Sequence, residues 1–454
     1  PDAHESGLGR IREGLEHRLA TATVWLLAHV DCFRVADDPL GIRRDPGLSG
    51  VAGAKVCSRE KPVNQGDEAA LAPFCRSFSG TRSGLNAKCC QNRVAVHSNG
   101  CFTESMVRII GGGPAGSAAG IAALRAGAEV EVYEQSPFPR HKVCGEFLSP
   151  ETLPVLDGLG VLELCAAARP ARITRLVLHI GSCEKHVRLP APAWGLSRNR
   201  LDRILLEHAI SLGARIIGER RTPEATDVVA TGRPVWVDRL GEYAAGRLLQ
   251  RVLPADSEHY SHLHAFKAHF RGDAGDAAEL FFFQFGTVGL HAIEDGLVTV
   301  WGLVRDHLLA EKEWLPDALV ASLGGVAKRI RRLSRATEWL LDGPVITSDD
   351  VNWRRSGPYL AGDALATTEP FTGSGILNAL VTGQMAGMAA ARRKAVSEYF
   401  RQAESVIGWP LVFGSAVSAA LDTGWARILA PVVPAGWVFR RTRPSARAAL
   451  TNME

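Results

Sequence analysis

The sequence lacks the features that would place it in several common protein classes. None of its nine cysteines stands at C-x-x-C spacing from another, so the sequence predicts no metal site and no dithiol redox pair. The formal net charge is only +4 at pH 7, and no stripe of basic residues alternates with aromatic residues, which argues against nucleic acid as a partner. We expect reduced thiols, as in a cytoplasmic protein.

Long apolar runs are also missing. No unbroken run of apolar residues reaches the length of about 18 that a membrane span needs. Residues 21–30 are too few, and residues 406–421 contain Gly408, Pro410 and Gly414. The sequence therefore predicts no membrane span, and it is compatible with peripheral contact at a membrane surface.

Methionine is scarce, and its distribution divides the chain. All four methionines stand at position 106 or later, whereas residues 1–105 mix Arg, Gly, Ser and Cys without a sustained period. We interpret Met106 as the native start and residues 1–105 as a non-native or disordered upstream extension. A zinc-binding extension built on Cys89 and Cys90 is the alternative, and no ligand spacing supports it.

The first strong pattern lies at residues 107–134. A short run rich in β-branched residues predicts a buried strand, an alanine-rich segment predicts a helix, and residues 129–133 predict a second strand that ends at an acid. The sequence between strand and helix fits G-x-G-x-x-G. Such glycines permit a tight turn, close approach of a pyrophosphate and close helix packing, and the acid binds ribose hydroxyls. The predicted dinucleotide-binding residues are Gly111, Gly113, Pro114, Ala115, Gly116 and Glu134.

The loop that follows carries a resemblance to a known family. Residues 140–146 read Arg-His-Lys-Val-Cys-Gly-Glu. With the glycine turn and Glu134, they resemble the flavoproteins of the geranylgeranyl reductase group, within the p-hydroxybenzoate hydroxylase (flavin monooxygenase) superfamily. The resemblance implies that this loop runs beside FAD, with Arg140, Cys144 and Gly145 as cofactor neighbours. An inert buried thiol is the alternative for Cys144.

The resemblance continues at residues 196–234. The pattern S-R-x-x-L-D at residues 197–202 is similar to one in which the arginine points toward the flavin and its diphosphate, which implies Arg198 as a cofactor neighbour. For Asp202 we expect a salt bridge or a helix-terminus role. Residues 226–234 resemble the strand and A-T-G turn that return past the cofactor, but they lack the longer D-G motif that also serves NADPH. The absence of that motif leaves open how the flavin is reduced. NADPH or NADH is the expected external reductant, without an assigned site.

Residues 235–341 read mainly as strands. Phe281, Phe283 and Phe285 stand at every second position and would share one face. That face predicts either ordinary core packing or an apolar wall for a greasy or aromatic small-molecule substrate. Three polar residues near this wall are catalytic candidates, although none has a partner at a spacing that establishes acid–base chemistry: His264, Lys267 and His291.

The second strong motif lies at residues 359–376. A strand ends at Gly-Asp and is followed by P-x-x-G-x-G and a helix to about residue 393. The resemblance implies that the aspartate binds the ribityl chain and that the helix start faces the pyrimidine edge of the flavin, where N–H groups stabilise the negative charge of reduced flavin. This motif selects FAD over NAD. The predicted residues are Gly362, Asp363, Pro370, Gly373, Ser374, Gly375 and Ile376.

Residues 396–454 carry helix patterns, three tryptophans and a basic end. They predict either a helical lid on the substrate domain or a membrane-surface face that admits lipids. The whole chain predicts an α/β fold with a discontinuous, Rossmann-like FAD-binding domain, an inserted mixed β-sheet substrate domain and C-terminal helices. The predicted FAD-binding segments are 106–171, 196–234 and 346–395, the substrate-sheet segments are 172–195 and 235–345, and the helical region is 396–454.

We expect an FAD-dependent oxidoreductase, and the residue types leave its reaction open. One hypothesis is a monooxygenase or hydroxylase, in which reduced FAD and O2 hydroxylate or epoxidise an apolar or aromatic small molecule. The other is geranylgeranyl-reductase-like hydride transfer to an isolated prenyl double bond. A flavin-binding electron carrier is the non-enzymatic alternative. A flavin-dependent halogenase would need a W-x-W-x-I motif, which the sequence does not contain. The oligomeric state stays open.

Overall fold

Residues 105–232, 263–345 and 356–444 are described in this computed structural model. The predicted upstream extension lies outside them, except for Ser105. The described strands form two sheets, and the chain passes between the sheets more than once. Each sheet is therefore built from segments that are far apart in the sequence.

The first sheet is parallel and has five strands. Its central strand buries Val107 and Ile109, which explains the β-branched run that marks it in the sequence. In spatial order the strands are β14 (Tyr359–Leu360), β7 (Val228–Val229), β1 (Met106–Ile110), β2 (Glu129–Tyr133) and β6 (Arg215–Ile217).

Two helices on this sheet, α1 (Pro114–Arg125) and α8 (Gly375–Ala391), touch backbone to backbone. A Cβ added to Gly383 would lie 2.2 Å from the Ala115 carbonyl oxygen, and one added to Gly387 would lie 2.0 Å from that of Ala119. Because both helices advance by four residues between these contacts, they run parallel. Their N-termini therefore lie at the same end of the sheet.

The second sheet is mixed and larger. Within this sheet β4 and β9 pair in parallel, and the other pairs of described strands are antiparallel. In spatial order the strands are β12 (Ser334–Arg335), β8 (Leu263–Arg271), β11 (Leu297–Arg305), β10 (Gly286–Ala292), β9 (Ala277–Phe283), β4 (Ala171–Ile180), β5 (Cys183–Gly195) and β3 (Phe147–Leu148), and β13 (Leu340–Val345) also pairs with β8.

The structure corrects the predicted phenylalanine face. Phe281 is buried in a core cluster with Leu319 and Val326, on the helix-covered side of the sheet. Phe285 has left β9 and lies in the turn to β10 with φ 71°. The phenylalanines therefore do not form a substrate wall. The covering helices, which the sequence did not predict because each has only five to seven residues, are α5 (Asp306–Ala310), α6 (Pro316–Ser322) and α7 (Gly324–Ile330).

Six further helices complete the described part of the chain. Residues 152–167 form two helices, because Gly160 interrupts the helical backbone with φ 74°. The strand β3, predicted within the FAD-binding part, belongs to the second sheet. The predicted fold class is confirmed. The six further helices are α2 (Thr152–Gly158), α3 (Leu162–Ala167), α4 (Arg198–Ser211), α9 (Val396–Asp422), α10 (Trp425–Leu429) and α11 (Ala435–Arg441).

The helix α9 is long and apolar enough to cross a membrane on length and composition alone. The sequence predicted that Gly408, Pro410 and Gly414 would interrupt this apolar segment. The helix instead continues through all three residues. Within its most apolar 18-residue window, 33% of the residues are buried. Length and composition therefore do not exclude a span, contrary to the expectation.

Candidate functional site

A cavity of about 990 Å³ lies at the carboxyl ends of the first sheet's strands. Ile110 of β1, Glu134 after β2, Ala230 after β7 and Gly362 after β14 all line it. Ligands of open parallel sheets bind at this edge, because the loops that leave the strands meet there. The opposite wall comes from the second sheet, so the cavity lies between the two sheets.

The first predicted glycine motif forms one end of the cavity. A Cβ on Gly111, which has φ 104°, would lie 2.3 Å from the Ala230 carbonyl oxygen, and one on Gly116 would lie 1.7 Å from that of Gly111. These two glycines allow strand, turn and helix to pack closely. The helix α1 then begins after Gly113, where the described residues provide no side-chain cap.

The second glycine motif starts α8 at the same cavity. Gly373 adopts φ 67°, and the N-cap residue is Ser374. Its hydroxyl donates to the Thr442 carbonyl at 2.8 Å and makes no cap hydrogen bond within the described chain. In contrast, Ser197 caps α4 by accepting from the Arg200 N–H. The two helices that begin at the cavity thus leave their first N–H groups available to a ligand.

Two glycines at these helix starts leave space that the protein does not use. A Cβ on Gly375 would meet no described atom within 4 Å, and one on Gly113 would meet only Arg198 Nη2 at 3.9 Å. Packing therefore does not require glycine at either position. The free space before both helix starts fits a flat or extended ligand that approaches the backbone closely.

Glu134 is held by a dense set of donors. Its Oε1 accepts from the Ser136 N–H and Arg140 Nη1, both at 2.8 Å, and its Oε2 accepts from the Gly112 N–H at 2.8 Å and Arg140 Nη2 at 2.9 Å. Burial alone would raise the pKa of Glu134, but these hydrogen bonds outweigh it and hold the pKa below its usual range. The carboxylate of Glu134 is thus held ionised and in a fixed orientation at the end of β2.

Glu146 forms the most buried charged cluster of the site. It is 0% exposed and accepts from Lys267 Nζ at 2.6 Å, from the Arg198 N–H at 2.9 Å, and bonds His269 Nε2 at 2.7 Å. Burial would raise the pKa of Glu146, but the hydrogen bond with His269 and the charge of Lys267 lower it to about 2. The cluster ties the loop before β3 to β8 of the second sheet. Lys267, a predicted catalytic candidate, is buried here and donates to Glu146.

The two other catalytic candidates differ in position. His264 lies beside the Trp314 ring, 4.9 Å between centroids, and is not among the described residues that line the cavity. His291 does line it, with Nε2 2.7 Å from the Gly145 oxygen and Nδ1 2.9 Å from the Ala292 oxygen. Burial lowers the pKa of His291, and a neutral imidazole donates to only one carbonyl. Its described contacts are thus to the Gly145 carbonyl, to the end of its own strand and to the Phe147 ring.

Most of the predicted cofactor residues meet at this cavity. Gly116 and Ser374 lie behind its wall, where they pack or bond to backbone. Asp202 forms the expected salt bridge, with Oδ1 2.6 Å from Arg198 Nε, and its charge outweighs burial in raising the pKa of Arg198. The predicted residues that line the cavity are Gly111, Gly113, Pro114, Ala115, Glu134, Arg140, Cys144, Gly145, Arg198, Gly362, Asp363, Pro370, Gly373, Gly375 and Ile376.

Sequence reasoning missed the apolar wall of the cavity. Trp301 of β11 is buried and lies flat across β10, where a Cβ on Gly289 would be 2.5 Å from its ring. The two residues are cross-strand partners, so a glycine opposite a tryptophan was the signal that could have found this surface. Other apolar and cationic wall residues that were not predicted include Leu176, Leu280, Leu290, Phe371, Phe439 and Arg443.

Comparison with known proteins agrees with this geometry. Residues 104–235 match a family model described as FAD binding domain. A flavin-dependent halogenase of Armillaria mellea is 31% identical over 151 residues, which cover 29% of this chain and 27% of the relative. A menaquinone reductase of Mycolicibacterium smegmatis is 38% identical over 90 residues, which cover 20% of this chain and 21% of the relative. The chain thus matches less than a third of the length of these relatives.

Solved structures resemble the chain over a longer stretch. The flavin-dependent brominase Bmp2 aligns with a TM-score of 0.59 and 19% identity, covering 75% of this chain and 93% of that one. A geranylgeranyl bacteriochlorophyll reductase-like protein of Thermoplasma acidophilum aligns with a TM-score of 0.54 and 16% identity, covering 76% and 95%. At these identities the likeness establishes the fold. The chain therefore carries an FAD binding domain within the fold of flavin-dependent halogenases and related oxidoreductases.

We predict that Glu146→Gln destabilises the protein by about 3–5 kcal/mol at pH 7, because it removes one partner of a buried charge cluster. The folded-state pKa of Glu146 is depressed to about 2 from 4.5, so its stabilising effect is present above the higher value and is lost as pH falls through the lower one. Thermal unfolding of both proteins from pH 7 down to pH 2 should show the difference shrink below about pH 4.5.

The exposed pair of Arg203 and Glu207, each side chain 58% exposed, provides the control. Glu207→Gln should change stability by less than about 0.5 kcal/mol. Equal effects of the two substitutions would contradict the assignment of Glu146 as the link between loop and sheet.

Proposed function

We propose that this chain is an FAD-dependent oxidoreductase that acts on an apolar small molecule. One observation carries the proposal: two helix starts and an apolar sheet face converge on a single cavity of about 990 Å³. The FAD binding domain at residues 104–235 supports the identity of the cofactor. The apolar sheet face supports the nature of the substrate, because burying hydrocarbon there is favourable.

The residues present fit FAD along the length of the cavity. The start of α1 and the guanidinium of Arg198 would bind the diphosphate, and Glu134 would bind the ribose of the adenosine. Asp363 would hold the ribityl chain, and the start of α8 would face the pyrimidine edge of the ring. Bound FAD would supply two-electron chemistry, while the protein binds and orients both molecules and excludes water.

The wall of the second sheet would hold the substrate. Leu176, Leu280, Leu290 and Trp301 line the cavity from four adjacent strands. Leu176, Leu280 and Trp301 belong to one sheet face, which lies opposite the helix-covered core that contains Phe281 and Leu290. A molecule between this face and the cofactor would be held mainly by apolar contact.

Of the two candidate reactions, we favour reduction of a carbon–carbon double bond. The loop residues Cys144, Gly145 and Glu146 resemble the reductase group, and a menaquinone reductase is among the curated relatives. Monooxygenation of an apolar or aromatic molecule is the competing reaction, supported by the same cavity and fold. NADPH or NADH remains the reductant that we propose for either.

We predict that the full chain loaded with FAD reduces an unsaturated prenyl compound under anaerobic conditions when NADPH or NADH is added. Product formation would be followed by mass spectrometry, as a gain of two mass units. Leu280→Trp places a larger side chain on the apolar wall and narrows the cavity, so it should lower turnover at least tenfold while FAD binding stays intact. The control variant Leu341→Trp, at a residue that is 45% exposed, should leave turnover unchanged.

Other outcomes would redirect the proposal. Product that forms only with O2, with a gain of one oxygen atom, would replace the reductase by the monooxygenase. Bound FAD that accepts electrons without any product would favour the electron carrier. Failure of the chain to bind FAD would overturn the proposal as a whole.

We also propose that the segment from α10 to α11 contacts an anionic membrane surface, through which an apolar substrate would arrive. Ile428 is 64% exposed and Val432 is 74% exposed, and the exposed cations Arg427, Arg440 and Arg441 flank them. From residue 405 to residue 444, Asp422 is the sole acid against four arginines. Apolar side chains with a cationic rim fit a bilayer that contains acidic lipids.

Vesicle sedimentation would test this contact. We predict that the full chain sediments with vesicles of phosphatidylcholine and phosphatidylglycerol, and that a variant with Ile428→Ser and Val432→Ser sediments several-fold less. The matched variant Ile210→Ser, at a residue 46% exposed on α4, should behave as the unaltered protein. Equal sedimentation of all three, or binding only to neutral vesicles, would contradict the proposal.

A further inference from the structure

The C-terminal segment places a buried arginine against the start of α8. Arg443 follows α11 and is 7% exposed. Its Nη2 donates to the Thr372 carbonyl, and its Nη1 donates to the Phe439 carbonyl at 2.6 Å. A Cβ on Gly373 would lie 3.5 Å from Nη2. The guanidinium therefore lies beside the glycine motif from which α8 begins, and it lines the cavity.

The charge of Arg443 is only weakly compensated. Its Nε is buried and makes no hydrogen bond with any described residue. The acid that faces it is Glu151, with Oε2 3.6 Å from Nε, and that oxygen also lacks a hydrogen bond in the described chain. Burial lowers the pKa of Arg443 to about 9, which Glu151 offsets only in part. The cation is thus held in a desolvated position, and Glu151 faces it at ion-pair distance without a hydrogen bond.

The surrounding contacts fix this guanidinium in place. Its carbon lies 3.2 Å from the centroid of the Phe439 ring, and the Ser374 hydroxyl donates to the Thr442 carbonyl at 2.8 Å. The tail and the start of α8 therefore hold each other. A charge fixed in a low-dielectric wall acts strongly on a charge that develops in front of it.

We propose that Arg443 stabilises negative charge on the pyrimidine side of the reduced flavin, in addition to the N–H groups of the α8 start. This inference rests on the proposed binding of FAD in the cavity. Because the cation favours the reduced, anionic form over the oxidised, neutral form, it raises the reduction potential of the bound cofactor. The electrostatic environment of the flavin ring would then be completed by the last described segment of the chain.

The test is the reduction potential of FAD bound to the full chain, measured by titration with a reference dye. In Arg443→Met the reduced form should lose at least tenfold in relative affinity, which lowers the two-electron potential by about 30 mV or more. Arg443→Lys keeps the charge, so its reduction potential should lie between those of Arg443→Met and the unaltered chain. Arg401→Met, at an exposed arginine of α9, should leave the potential unchanged.

A second variant separates electrostatics from simple support of the fold. Glu151→Gln removes the acid that faces Arg443, so it should raise the potential, opposite in sign to Arg443→Met. A purely structural arginine would instead change oxidised and reduced FAD binding equally, and the potentials of both variants would match that of the unaltered chain. That result, with FAD bound, would overturn this inference alone, whereas absence of FAD binding in the unaltered chain would overturn the proposed function.

Discussion

The parallel contact between α1 and α8 determines where this molecule can bind a ligand. Gly383 and Gly387 allow the two helices to touch backbone to backbone in the same direction, so two N-termini, about 260 residues apart in the chain, open onto one cavity. Each carries unsatisfied N–H groups and the positive end of a helix dipole. Side chains at these glycines would separate the helices, and the two glycine motifs would no longer face a common ligand.

The second sheet completes the cavity because the loop before β3 is anchored to it. Glu146 joins that loop to Lys267 and His269, and His291 reaches the Gly145 carbonyl. These contacts lie directly behind Cys144, on the side where the flavin ring is proposed to lie. Charged residues that looked like catalytic candidates are thus part of the support of the site. The wall that the second sheet gives to the cavity includes the aliphatic side chains of Leu176 and Leu280 and the ring of Trp301.

The sequence predicted those parts whose physics is local. A strand, a glycine turn, a helix and an acid follow one another within 28 residues, and Gly-Asp with P-x-x-G-x-G does the same for the second motif, so both were recognised and most of their residues line the cavity. The sequence could not tell that Phe281 faces the helix-covered core and Leu280 faces the cavity. Alternation along a strand separates two faces of a sheet but does not say which face the helices cover. Arg443 could not be found either, since its role depends on a contact with the distant residue Thr372.

The central claim is that both glycine motifs serve one FAD, and binding stoichiometry tests it most directly. Gly113 and Gly375 have free space before them, so Gly113→Val and Gly375→Val should fold normally while their side chains enter the ligand's space. Titration of the full chain with FAD, followed by visible absorbance, should give one site per chain, and each substitution alone should weaken that same site at least tenfold. A chain that stays colourless, or one in which either substitution leaves FAD affinity unchanged, would contradict the account.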